Sequence, residues 1–218
     1  MTGRTGADGH RAGSGASSGL DDRFPGFGVL SQAPHWDQVT ADLVTSRTAT
    51  PPAVKFFTAA EEACAAALLD LLLDHPRVPV LQMIDSRLAA GETDGWRYAD
   101  MPEDGQAWRD TLSFLDADTA ERCGTTFADA PPPDRAELVQ AVQDRTSGTW
   151  HGRPAKHVWS LWTRYACTAF YSHPSAWAEI GFPGPAYPRG YKNIGVDKLE
   201  PYEVRDVRPA IDPVRKGD

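Results

Sequence analysis

The stretch "GRPAKHVWSLWTRYACTAFYSHP", residues 152–174, constrains the fold more than any other. Val158, Leu161, Trp162, Tyr165, Ala169 and Phe170 recur at i, i+3, i+4, i+7, i+11 and i+12, so they form one wide apolar face of a helix. His173-Pro174 sets its end, because the residue before a proline leaves the α region. Such a face has to be covered, and the rest of the chain offers helices to do it.

"FFTAAEEACAAALLDLLLDHP" is the first of these. Thr58 with Glu61 is a capping box, and Phe57 is placed to staple onto the first turns. Ala60, Cys64, Leu68 and Leu71 make a stripe, with Ala67 and Leu72 beside it, and Pro76 sets the stop. "VPVLQMIDSRLAAGE" puts Val80, Met83, Ile84 and Leu88 on one face, with Gly91 suited to the C-terminal cap. "GWRYADMPEDGQ" reads as a loop. "AWRDTLSFLDADTAERCGTTFADA" carries Trp108, Leu112 and Leu115 at helical spacing, with a restarted turn expected at Asp116 or Asp118. "PPPDRAELVQAVQDRT" opens on prolines and buries Leu138, Val139 and Val142. No sustained alternation of the kind a sheet needs is present. The expectation is an all-α fold: a small helical domain over 55–175 with irregular, aromatic-containing arms at both ends.

Residues 1–22 are small, polar and Gly/Ser-rich, and read as a disordered tail. Residues 23–54 read as an irregular N-terminal arm, its second half an irregular connection, whose "FPGFGVL" and "HWDQV" are expected to dock on something. Residues 176–218 read as an irregular C-terminal arm. In "AWAEIGFPGPAYPRGYKNIG" the Gly and Pro content rules out a long helix or a central strand. Yet Trp177, Ile180, Phe182, Tyr187 and Tyr191 are too much apolar surface for an idle linker.

The formal net charge is −8 and the Lys and Arg are not clustered, which argues against a nucleic-acid partner. The longest apolar run, around "ALLDLLL", falls far short of a span, so no membrane insertion is expected. The N-terminus shows neither an apolar signal core nor a twin arginine, and the expected location is cytoplasmic. Cys64, Cys123 and Cys167 have no CxxC pair, which argues against a disulfide framework or a structural zinc. Three small buried thiols, or one disulfide plus a free thiol, both fit the spacing.

A search for catalytic chemistry returns little. There is no GxGxxG after a strand, no GxSxG, no HExxH and no haem or Fe–S spacing. In "GFPGPAYPRG" the prolines remove the N–H groups that a phosphate cradle needs. His151 and His157 lie across Gly152 and Pro154, and read as core or surface histidines rather than a metal pair. His173 either caps the helix end or hydrogen-bonds a substrate or partner. Asp94, Asp100, Glu103 and Asp104, next to Trp96 and Tyr98, read as a solvated loop rather than an acid/base pair. Trp150, Trp159 and Trp162 with Arg153, Lys156 and His157 read as core tryptophans with a positive fringe. What remains is aromatics with Arg on irregular arms, the composition of protein–protein contact cores. This favours a binding subunit; the alternative is a stand-alone small helical enzyme or binding protein acting on a small molecule.

"FFTAAEEACAAALLDLLL", then "MIDSRLA", then "WRDTLSFLDADTAERCGTTFADAPPPDRAELVQAVQ" and "TAFYSHPSAWAEIGFPGPAY" together resemble the gluconate 2-dehydrogenase subunit 3 family, over about residues 55–190. The last piece resembles the family's aromatic pair, its His/Asp-Pro turn and its G-[FY]-P-G loop. The resemblance implies a helical small subunit with no cofactor in this chain. It would bind and stabilise a large catalytic subunit of the glucose–methanol–choline (GMC) type, which carries FAD and oxidises a sugar, glycoside or polyol. It implies partner contacts at Phe170, Tyr171, Pro174, Phe182, Pro183 and Gly184, with Gly181 also matching the pattern. To these the residues themselves add His173, Trp177, Tyr187 and Tyr191. Two departures stand out: the twin-arginine signal is absent, and Ser172-His173-Pro174 stands where many members have Asp-Pro. A His there is placed to reach toward a partner's substrate pocket.

Overall fold

The computed structural model describes residues 23–73 and 77–207. The tail 1–22, the stop at Pro76 and the last part of the C-terminal arm, 208–218, lie outside them. A short 3-10 helix (Val29–His35) is followed by α1 (Gln38–Ser46), α2 (Ala59–Leu73), α3 (Val80–Ala89), α4 (Asp104–Cys123) and α5 (Pro132–Asp144). A two-residue antiparallel hairpin, β1 (Thr149–Trp150) and β2 (Arg153–Pro154), leads into α6 (Ala155–Tyr171) and α7 (Pro174–Ile180). The all-α expectation holds.

Helix α6 is the axis of the body and touches α2, α3, α4, α5 and α7. Its whole expected stripe is buried. Trp162 donates its indole N–H to Thr111 Oγ1 at 3.1 Å, and Trp150 meets the Trp162 ring edge-on at 5.6 Å. Trp108 of α4 meets Tyr165 edge-on at 5.9 Å. Each large side chain sealed here contributes about 1.5–3 kcal/mol of apolar burial, so this face outweighs any single polar contact in the body.

The Thr58–Glu61 capping box forms with both hydrogen bonds, at 2.8 and 3.3 Å. Phe57 is buried, with its ring edge-on to Trp108 at 6.1 Å. The buried face of α2 is Cys64, Ala65, Ala67, Leu68 and Leu69, while Ala60 and Leu71 are exposed. The expected stripe was therefore rotated, because α2 packs against helices on several sides and an Ala/Leu run carries little periodic contrast. Helix α4 runs without a restart through Asp116 and Asp118. Both carboxylates serve tertiary contacts instead. Asp116 accepts from the Phe127 N–H at 2.9 Å, and Asp118 accepts from Trp150 Nε1 at 2.7 Å and pairs with His151 Nε2 at 2.6 Å. Within the stretch read as irregular, Asp37 caps α1 by accepting from the Thr40 N–H at 3.3 Å.

All three cysteines are free, but only Cys64 is buried; Cys123 and Cys167 are exposed, contrary to the reading of three buried thiols. Burial pushes the Cys64 thiol up, and nearby Asp116 adds to it. The acidic loop is not simply solvated either. Asp94 pairs with Arg87 at 2.8 Å and with Arg164. Asp104 is buried and accepts from the Tyr165 hydroxyl at 2.6 Å. Burial alone would raise the Asp94 pKa, but the hydrogen bond from Arg87 and the charge of Arg164 outweigh it and hold the carboxyl below its ordinary value.

Asp85 of α3 is 1% exposed and accepts from the backbone N–H groups of Lys55, Phe56 and Phe57 at 2.7, 2.8 and 3.0 Å. It fixes the chain just before the α2 cap. Replacing Asp85 by Ala orphans these donors, one of them fully buried, and the expected loss in unfolding free energy is about 3 kcal/mol, read as a lower denaturant midpoint. The Asp94 ion pairs stabilise the fold above the unfolded-state pKa, about 3.9. That contribution is lost as pH falls through the lower folded value. The stability gap between wild type and Asp94→Asn is therefore expected to be full at pH 6 and to close on acidification below pH ~4, measured by urea unfolding at each pH.

Candidate partner interface

The two arms pack on each other. Val29, Trp36, Val44 and Trp177 form a small second core, separate from that of the body. Helix α7 supplies Trp177, and its sequence sets its short length. Pro174 occupies the first turn, His173 caps the N-terminus by accepting from the Ser175 N–H at Nδ1, 3.2 Å away, and Gly181 ends it in the left-handed region. Arg47, just after α1, donates to the Ser172 carbonyl at 2.6 Å, and its own carbonyl oxygen lies 2.9 Å from His173 Nε2. The α6–α7 corner is thereby tied to the N-terminal arm.

Two glycines register the contact. A Cβ on Gly181 would stand 2.6 Å from the Phe24 ring, and one on Gly184 would stand 2.6 Å from the Trp36 ring. Both have positive φ, +71° and +83°. The glycines let the "GFPG" backbone lie directly on aromatic faces of the N-terminal arm. Farther along, Arg189 Nη1 donates to Gln32 Oε1 at 3.0 Å, Arg23 pairs with Asp206, and the Val207 N–H reaches the Arg23 carbonyl at 3.3 Å. The C-terminal aromatic segment thus finds its first packing partner within its own chain.

The ten residues expected at a partner contact divide in two. Phe170, His173, Pro174, Trp177, Pro183 and Gly184 are buried. Trp177, expected at the surface, is only 7% exposed, and its indole N–H donates to the Tyr171 carbonyl. His173 does not reach outward; both ring nitrogens face groups of this chain. Tyr171, Phe182, Tyr187 and Tyr191 are exposed, Tyr187 most of them at 66%. Phe182 stands edge-on against Trp177 at 5.4 Å, so a buried ring steadies an exposed one. Ile180, Ile194, Val196 and Leu199 extend the exposed apolar series. The last three were not singled out from sequence, although their lack of any periodic partner between glycines was the available signal.

The other candidates have structural employment. His157 stacks on Tyr98 at 3.6 Å and bonds Asp100 at 2.8 Å, while His151 stacks on Phe114 at 4.6 Å beside Asp118. Each histidine holds a carboxylate of its own. Among the described residues, no group of three His, Cys, Asp or Glu side chains is placed to hold a metal ion, and no helix is long and apolar enough to cross a membrane.

Gly184→Ala is expected to open the arm pair, since it combines a steric conflict with a strained backbone worth about 1–3 kcal/mol. Limited proteolysis should then cut residues 23–54 faster, while far-UV dichroism of the body stays at its wild-type value.

A family model described as gluconate 2-dehydrogenase subunit 3 matches residues 59–184, from the first turn of α2 to the Pro183-Gly184 corner. No curated protein and no solved structure matches the chain. The match spans more than half of the sequence and takes in the helical body together with the Trp177, Gly181 and Gly184 contacts to the N-terminal arm. The chain belongs to the gluconate 2-dehydrogenase subunit 3 family, a subunit of a multi-subunit dehydrogenase.

Proposed function

We propose that this chain is the non-catalytic small subunit of an FAD-dependent dehydrogenase of the GMC type that oxidises a sugar, glycoside or polyol, and that it binds and stabilises that catalytic partner. FAD and hydride transfer belong to the partner. Family membership supports the subunit role. The observation that carries the binding role is the exposure of Tyr171, Phe182, Tyr187 and Tyr191 on a segment whose base is packed by Trp177 and Gly184. Aromatic side chains held on an ordered base lose little entropy on docking and make good anchors. The small subunit in turn holds the partner's matching surface out of water, which shifts the partner's folding equilibrium by mass action.

A second reading, a binding protein for a small molecule, draws on one feature. A cleft of about 310 Å³ lies between the 46–52 segment and helices α3 and α6, with Arg87 and Tyr165 on its wall. Ligand pockets of this size are common.

The test is capture of the tagged full chain from its native host, with mass spectrometry and a visible spectrum of the eluate. The expected result is a stoichiometric yellow complex with a GMC-type flavoprotein. The double variant Tyr187→Ala/Tyr191→Ala, altered only at exposed side chains, is expected to weaken that complex by about 2 kcal/mol or more. A colourless single chain from an extract that contains such a flavoprotein would sink the subunit reading and turn attention to the cleft.

A further inference from the structure

A notch of about 540 Å³ lies between the arms. Gln32 and His35 of the 3-10 helix form one wall, and Arg189, Lys192 and Tyr202 of the C-terminal arm form the other. The Arg189 guanidinium lies over the Tyr202 ring, 3.8 Å from its centroid, and the Tyr202 hydroxyl donates to the Gly190 carbonyl at 2.9 Å. The cation is thus held flat and in place. Its hydrogen bonding is nevertheless incomplete. Nη1 donates to the neutral amide oxygen of Gln32 at 3.0 Å, while Nε and Nη2 are buried without an acceptor. The carboxylate in the notch, Glu200, is buried and turned to the backbone N–H groups of Lys192 and Asn193. In a chain of net charge −8, this corner gathers Arg189, Lys192 and His35.

We propose that this notch receives an acidic segment of the flavoprotein partner, one carboxylate of which displaces the Gln32 amide from Arg189; the inference rests on the partner reading above. An ionised carboxylate takes Nη1 and Nη2 together in a charge-assisted, bidentate pair, which a single amide oxygen does not. Lys192, with an exposed side chain, meets a second negative group at the rim. Both walls lie outside the matched residues 59–184, and the notch would serve to select one catalytic subunit by charge.

Gln32→Glu places the carboxylate within the chain and makes the variant its own competitor. In the free subunit it is expected to raise Tm by about 2–4 °C. Against the co-purified flavoprotein it is expected to raise Kd about tenfold, as is Lys192→Glu, which also flattens the salt dependence of binding. Gln32→Ala keeps wild-type affinity or tightens it, and Lys156→Glu on α6 controls for overall charge. Wild-type affinity in both Gln32→Glu and Lys192→Glu overturns the notch while leaving the subunit reading intact. A wild-type chain that binds no flavoprotein overturns both. If Gln32→Glu loosens the arms instead of stabilising them, Lys192→Glu decides alone.

Discussion

Every helix of the body is placed by the aromatic face of α6. Trp162 and Tyr165 stand in the middle of that face, and Trp108, Trp150 and Thr111 close around them through edge contacts and one indole hydrogen bond. Ring edges on ring faces fix angles as well as distances. The face therefore dictates how α4 and the β1–β2 hairpin lie across α6 in a way that an all-leucine stripe would not. The charged groups are arranged around this constraint. Arg164 and Tyr165, adjacent on α6, reach Asp94 and Asp104, so the 92–103 loop is fastened to the same helix that anchors the core.

The helical body was legible in the sequence because its cues are local. A capping box, prolines at helix starts and a six-residue stripe all act within a few residues. The α2 face was misplaced because Ala and Leu surround that helix nearly everywhere. Asp85, Asp94 and Asp116 were out of reach for another reason. Each carboxylate works on a group outside its own turn of chain, from the loop after its helix for Asp116 to helix α6 for Asp94, and nothing near an acidic residue in sequence tells a solvated carboxylate from one that closes a loop.

The candidate interface was half legible. Composition marked the C-terminal segment as aromatic and irregular, and those exposed tyrosines are where the sequence placed them. It did not say that Trp177 and His173 turn inward, since their partners, Trp36 and Arg47, sit on the opposite arm. The glycines of "GFPG" carried the signal in retrospect: a Gly/Pro turn was in fact a seat for two aromatic rings. The buried members of the segment give it shape, and the exposed ones leave an aromatic surface in water.

The pairing of the two arms also has a consequence for how the protein is made. Trp36 emerges from the ribosome early, and the Gly184 backbone that it seats against is added only after the whole helical body. At ~5–20 residues per second the first arm waits on the order of ten seconds with its rings in water. A chain broken off by premature termination before "GFPG" keeps that surface open, where chaperones and proteases act on it. The arm pair is thus closed only in chains translated past Gly184.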